Sequence, residues 1–451
     1  MSFPRYPKYK DSGVEWLGQV PEHWEVTRLG YLCAKIGSGK TPSGGAEMYF
    51  EEGVTFIRSQ NVYDEGLRLD DVVYIDTQID EELRASRVRG GDILLNITGA
   101  SLGRTCLVPD GLPHANVNQH VCIVRLHSVA LRSFVALALK SHSTKIQIQA
   151  AQNGAAREGL NFAQVSKLVL AIPPLAERTR IAEFLDREAG KIDELVAEQQ
   201  RLMELLKEKR QAVVSHAVTK GLNPAVSMKP SGIEWLGDVP AHWKVGRCGF
   251  YMTILSGFAF PSSGFTDDEG ETKLLRGVNV GVSSLRWDDT VYWRRTAGDD
   301  LDDYEIQKGD VVIGMDRPLI SDGIRVAKVK AKDLPCLLLQ RVASLKPGDR
   351  LNSDYLLSLL SSEMFVAHFS PETTGVSVPH ISPEQIQNFV VPVPPIDEQE
   401  TIVSFIHTET EKLDALTAEA QKTIDLLQER RIALISAAVT GQIDVRELAA
   451  S

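Results

Sequence analysis

The chain has 451 residues, 43% apolar and 24% charged. That globular composition excludes long disordered tails and suggests two to four domains. A net charge of −11 excludes a uniformly basic DNA coat, so any nucleic-acid contact must come from local basic and polar loops or from a more basic partner. The chain is neutral through residue 221, then carries −5 over 222–392 and −6 over 393–451. No apolar run approaches the roughly 18 residues of a membrane helix, and the opening MSFPRYPKYK lacks a signal-peptide core. Cysteines at 33, 106, 122, 248 and 336 have no CxxC spacing. They argue against a disulfide framework or zinc ribbon and fit a reducing cytoplasm.

In chain order, the decisive feature is an internal repeat. Residues 9–30 (YKDSGVEWLGQVPEHWEVTRLG) match 228–249 (MKPSGIEWLGDVPAHWKVGRCG) at 14 of 22 positions, and 172–219 match 393–440 at 21 of 48. The offsets, 219 and 221, identify one duplicated unit of about 220 residues. Between these ends only fragments align: RSQNV at 58–62 with RGVNV at 276–280, Gly91-Asp92 with Gly309-Asp310, and Gln119 with Gln340. NITGASLGR at 96–104 and GMDRPLISDGIR at 314–325 differ in length and chemistry. A shared frame with unlike loops suits two readers of two different ligands.

Each unit has two parts. Residues 1–171 and 222–392 hold short β-type runs such as VTFIRS, DVVYI, GDILLNI and VCIVRL separated by turn residues, which predicts α+β domains. Residues 172–221 and 393–451 read as helical regions entered after Pro173-Pro174 and Pro394-Pro395. Gly190 predicts a short helix followed by a long one. Heptad stripes run through Ile192, Leu195, Gln199, Leu202, Leu206, Lys209, Val213 and His216, and through Leu413, Leu416, Ala420, Thr423, Leu427, Arg430, Leu434 and Ala437. They predict an intramolecular antiparallel coiled coil; the alternative is that each helix covers its own domain. On the coiled-coil reading the domains lie at opposite ends of a rod about 42 Å long. That spans roughly 12 base pairs, so two related domains could read unlike half-sites on opposite strands.

This plan resembles the specificity subunit of type I restriction-modification enzymes. The resemblance covers essentially the whole chain. It rests on the paired SGxEWLGxVPxHW starts, the helix entries IPPLAERTRIAEFL and VPPIDEQETIVSFI, and the helix ends SHAVTKG and SAAVTGQ. Ala176-Glu177-Arg178 departs from the family form kept by Asp397-Glu398-Gln399, which touches only local helix contacts. The resemblance implies two target-recognition domains (1–171 and 222–392), two helical spacer regions (172–221 and 393–451), and no catalysis by the chain itself. It implies double-stranded DNA as ligand, with two methyltransferase subunits and two motor-nuclease subunits as partners. Those partners would use S-adenosylmethionine, ATP and Mg to methylate adenine or cleave DNA. A cytoplasmic location follows.

Direct readout needs side chains that make paired hydrogen bonds to bases. The first domain offers Ser38, Lys40, Thr41 and Ser43 in a Gly-rich loop, then Arg58, Ser59, Gln60 and Asn61. It also offers Thr98, Ser101 and Arg104, then Asn116, Asn118 and Gln119, and Arg157. The second offers Arg276, Asn279, Arg317, Arg325, Gln340, Arg341, Ser377 and His380. About half should be structural, because turn-forming polar groups need partners anyway. The Arg84/Arg87/Arg89 and Arg294/Arg295 clusters read equally as phosphate contacts or solvated faces.

Competing readings are weaker. Ala34–Thr41 fits a loose phosphate-loop pattern, but Pro42-Ser43-Gly44-Gly45 opens no helix. No Asn-Pro-Pro-Tyr/Phe segment supports methyl transfer, and no HxxxH or HExxH spacing supports a metal site. His23 and His242 read as turn residues; Trp16, Trp24, Trp235 and Trp243 read as core anchors. A non-DNA ligand-binding scaffold on a coiled-coil spacer is the alternative function, favoured by the acidic balance.

Overall fold

The computed structural model describes residues 3–42, 44–152, 159–320, 323–373 and 379–448. They form two compact units, residues 1–199 with 422–451 and residues 200–421. Ser43, Arg157 and Ser377 lie outside the described residues.

In the first unit an antiparallel sheet orders its strands Thr105–Leu107, Ile93–Asn96, Val121–Leu126 and Cys33–Ser38. A second sheet orders Val73–Ile75, Val54–Ile57, Ala115–Val117 and Arg87–Val88, with the pair Val54–Ile57 and Ala115–Val117 parallel. The four runs read as β-type are thus strands. Their central members are buried on both faces, which explains continuous apolar stretches such as VCIVRL.

The second unit repeats this frame. Val326–Lys328, Val311–Gly314, Val342–Pro347 and Met252–Ser256 form its antiparallel sheet. Its other sheet again has one parallel pair, Thr272–Leu275 with Cys336–Leu338. The edge differs, because Phe265–Thr266 now pairs with Val291–Trp293. The duplication therefore kept the central strands and changed both edges of this sheet, since among the described residues no strand pairs beyond Cys336–Leu338 as Arg87–Val88 does beyond Ala115–Val117.

The repeated ends anchor the helices. The first long helix spans Leu175–Lys220 and the second Ile396–Val439. In the first unit, Trp24 is fully buried and its Nε1 donates to Glu177 Oε2 at 2.7 Å. His23 Nε2 lies 2.9 Å from the other carboxylate oxygen. In the second unit, Trp243 and His242 hold Glu398 at 3.1 and 2.7 Å. Each PxHW turn thus pins the acidic first turn of a long helix, where a carboxylate also suits the helix dipole. Trp24 and Trp243 are core anchors as expected, whereas Trp16 is 37% exposed. Beside Glu398, the buried Gln399 accepts from Asn352 N–H at 2.8 Å and donates to Pro394 C=O at 2.9 Å. Arg178 replaces it in the first unit and leaves a buried Nε without a partner. The sequence departure therefore costs a local hydrogen-bond set and nothing wider.

Each core is closed by parts of both helices. Ile181, Phe184 and Leu185 join Leu434, Ile435 and Ala438 under Trp24. Val214, Ala217 and Val218 join Ile402 and Ile406 under Trp243. The helices run antiparallel in each unit. Arg431 lies 3.5 Å from Asp193 in the first, and Arg210 lies 3.2 Å from Asp414 in the second.

Two expectations about the helices are corrected. Gly190 does not divide the first, which is continuous over 46 residues, because intact backbone hydrogen bonding outweighs one glycine penalty of about 1 kcal/mol. The seam is also shifted. Ile192, Leu206, Leu413, Ala420 and Leu434 are buried as expected, but Leu195, Leu202 and Leu416 are 46%, 41% and 54% exposed. Val196, Met203, Arg210 and Ala217 turn inward instead, as do Thr417, Ile424, Arg431 and Ala438. The second line of the heptad thus sits one residue later, so smaller and longer polar side chains replace leucine at the contact.

All five cysteines are free. Burial pushes the thiols of Cys106, Cys122, Cys248 and Cys336 up to about 12, so they stay protonated and unreactive near neutrality. Among the described residues no helix is long and apolar enough to cross a membrane.

Replacing Glu177 by Ala strands the buried Trp24 N–H and should cost about 2–3 kcal/mol. The urea midpoint should fall at unchanged m. The more exposed Glu398→Ala should cost less. Gly190→Ala should instead stabilise by roughly 0.5–1 kcal/mol, since a Cβ there meets open space; a lower thermal midpoint would contradict a continuous helix.

Candidate nucleic-acid interface

The loops at one end of the antiparallel sheet bring together residues far apart in sequence. In the first domain, Gly39 lies so close to Val117 C=O that a Cβ would clash at 1.5 Å. This close approach, not phosphate binding, requires the glycine of GSGKT. The described residues after Lys40 enter a short 3-10 turn at Gly45–Met48 and no α-helix, so the phosphate-loop reading fails. Lys40 is exposed. Thr41 Oγ1 donates to Gln119 Oε1, and Gln119 Nε2 is 3.3 Å from His120 Nε2. On its other side His120 Nδ1 is 2.5 Å from Thr98 Oγ1. Asn118 is buried and accepts from His120 N–H at 3.0 Å, which sets the loop that presents Gln119 and His120.

The second domain builds the same place from other side chains. Isolated strand bridges Thr98–Gly159 and Asp316–His380 occupy equivalent positions. Asp316 Oδ1 is 2.6 Å from His380 Nδ1 and accepts from Arg341 Nη1 at 3.4 Å. Gln340 and Arg317 are exposed beside them, and Arg317 N–H donates to Pro379 C=O at 2.7 Å. Arg317 and Arg341 have φ of 45° and 71°, the left-handed region that costs an L-residue roughly 1–2 kcal/mol. The first domain places Gly99, φ 73°, where the second has Arg317.

Several expected readers are structural instead. Asn61 is 1% exposed; its Oδ1 accepts from Arg58 N–H at 2.9 Å and its Nδ2 donates to Arg68 and Asp71 carbonyls. Asn279 repeats this with Arg276 N–H, Arg286 and Asp289. Arg58 Nη2 donates to Asp71 C=O at 3.0 Å, and Arg276 Nη2 to Asp289 C=O at 2.6 Å. The shared RxxN element is therefore a turn latch, which explains its survival in both copies. Gln60 donates to Asp71 on the same surface, and Ser59 C=O accepts from Asn96 Nδ2. Asn116 is fully buried between Ser86 and Asp80. Ser38 Oγ donates to Gly39 C=O, and Ser101 Oγ accepts from Asn96. Arg104 is exposed, whereas Arg325 turns inward to Val280 and Asp316 carbonyls. The flanking clusters are largely spent on carboxylates. Arg87 binds Asp80 and Glu81, and Arg295 binds Asp299, Asp302 and Glu305.

His120 and Asp316 were not singled out by sequence. The available signal was position: His120 follows the aligned Gln119, and Asp316 sits where Thr98 does. What remains exposed is a polar patch per domain: hydroxyl, amide and imidazole in the first, carboxylate-braced guanidinium and imidazole in the second. Both patches can exchange hydrogen bonds with base edges.

Residues 21–202 and 277–426 match the family model of the type I restriction modification DNA specificity domain. Over 438 residues the chain is 25% identical to the type I restriction enzyme MjaVIII specificity subunit of Methanocaldococcus jannaschii, with 95% of each chain covered. Over 168 residues it is 34% identical to the type I restriction enzyme EcoAI specificity subunit of Escherichia coli, covering 37% of this chain and 28% of that one. A solved structure from work on complex assembly and conformational transition of the type I R-M system superposes with a TM-score of 0.65. It covers 93% of this chain and 98% of that one at 18% identity, a likeness of fold. With the match covering most of the sequence and falling on both copies of the repeat, the chain belongs to the type I restriction-modification DNA specificity family.

Proposed function

We propose that the chain reads an asymmetric bipartite DNA site, one half-site per domain. It directs adenine methylation or ATP-dependent cleavage by partner subunits and performs neither reaction itself. The carrying observation is that equivalent loop positions hold Thr98 and His120 in one domain but Asp316, Arg341 and His380 in the other. The same frame thus offers two different hydrogen-bonding faces. Gln119 supplies the amide that pairs well with an adenine edge, while Arg317 and Arg341 supply guanidinium groups suited to guanine. Two methyltransferase subunits and two motor-nuclease subunits complete the complex. S-adenosylmethionine, ATP and Mg belong to their chemistry.

Mapping methylated adenines in DNA from cells carrying the complete system should reveal two short, unlike half-sites on opposite strands with an unread spacer. A single continuous site, or no sequence preference, would contradict the reading. A second test uses backbone strain, since a strained arginine at a loop tip is best explained by what its side chain reads. Arg317→Gly should leave folding stability unchanged or raise it by about 1 kcal/mol, while methylation at the second half-site falls at least tenfold. Undiminished methylation would remove Arg317 from the interface.

A further inference from the structure

Two arginines of the first domain carry charge that the fold does not spend. Arg58, Arg87 and Arg125 are ion-paired to Asp71, Asp80 and Asp92. Arg68 and Arg104 are exposed, and neither pairs with a carboxylate among the described residues. Both rest on one aromatic ring. Their guanidinium carbons lie 3.8 and 4.8 Å from the centroid of Tyr63. The ring is held in a hairpin of Val62–Tyr63 and Gly66–Leu67. Asp64 of that hairpin accepts from Thr105 N–H at 2.9 Å and pairs with Lys145 at 2.7 Å. Arg104 closes the turn that carries Thr98, so the two cations are fixed beside the reading loops. Two positive groups against one ring repel each other, and an anion contacting them would relieve that repulsion.

The second domain lacks this device. Gly281 stands in place of Tyr63, and Arg286 and Arg325 stand in place of Arg68 and Arg104. With no ring to rest on, Arg325 folds inward and donates to Val280 C=O at 3.0 Å and Asp316 C=O at 3.3 Å.

We propose that Arg68 and Arg104, held on Tyr63, grip a DNA phosphate beside the first half-site, and that the second domain keeps the corresponding Arg325 inside its fold. The two half-sites are then held by different electrostatics. This rests on the DNA reading proposed above and adds which residues bind the backbone, and on which side.

The test is equilibrium binding of the full chain, assembled with its methyltransferase partners, to a duplex bearing the mapped site over a range of KCl. Each neutralised phosphate adds about −0.9 to the slope of log affinity against log salt. Arg104→Ala should flatten that slope by about 1, and the Arg68→Ala/Arg104→Ala pair by between about 1 and 2, with the methylated sequence unchanged. Arg104→Lys should restore the slope. Arg325→Ala should leave the slope as it is and lower the thermal midpoint. Unchanged slopes in folded Arg104→Ala and the double variant, with sequence preference intact, overturn the grip alone. An altered methylation sequence also overturns it, because the arginines would then be reading bases. A wild-type complex with no sequence preference overturns the grip together with the DNA reading beneath it.

Discussion

A carboxylate at the start of each long helix, buried in the first unit and half-buried in the second, accepts from a tryptophan N–H, faces a histidine and sets where everything else sits. Glu177 and Glu398 do this in the two units. The cost of leaving an indole N–H unpaired in a core ties helix entry and domain core into one folding element. Each core then needs apolar surface from both helices, Ile181 with Leu434 in one and Val214 with Ile402 in the other. Neither domain is therefore complete with only its own stretch of 170 or so residues. That dependence explains why the repeat is best preserved at the PxHW turns and in the helices.

Loops freed from that duty can diverge. The antiparallel sheets share strand order and the RxxN latch, and both end in the same bridge after the sheet. Onto this the first domain hangs Thr98, Gln119 and His120, and the second hangs Arg317 and an Arg341 braced by Asp316. Left-handed backbone at Arg317 and Arg341 is a local cost, and at Arg317 the second domain bears it in a turn where the first domain has Gly99. Strain of this kind persists where surrounding structure over-determines it, and such places are commonly functional.

Much of the architecture was legible because the contacts that build it repeat. The duplicated starts marked the tryptophan anchors, and apolar runs such as VTFI and VCIVRL marked central strands. The seam was misplaced by one position. Leu202 and Leu416 outrank Met203 and Thr417 in hydropathy, yet the direction a helix faces is decided by what it packs against. Polar readers were harder to sort. Asn61 and Asn279 carry the right chemistry for bases, but an amide looks the same in sequence whether it bonds a turn or a ligand. His120 and Asp316 gain meaning only when the sheet brings loops 22 or more residues apart to one edge.

The claim that the two domains are independent readers on one frame is tested most directly by exchanging them. A chain in which residues 222–392 are replaced by residues 1–171, leaving both helical regions in place, should direct its partner subunits to methylate a symmetric site. That site should consist of two inverted copies of the first half-site around the original spacer. Retention of the original asymmetric sequence by that chimera, once shown to fold and assemble, would contradict the account.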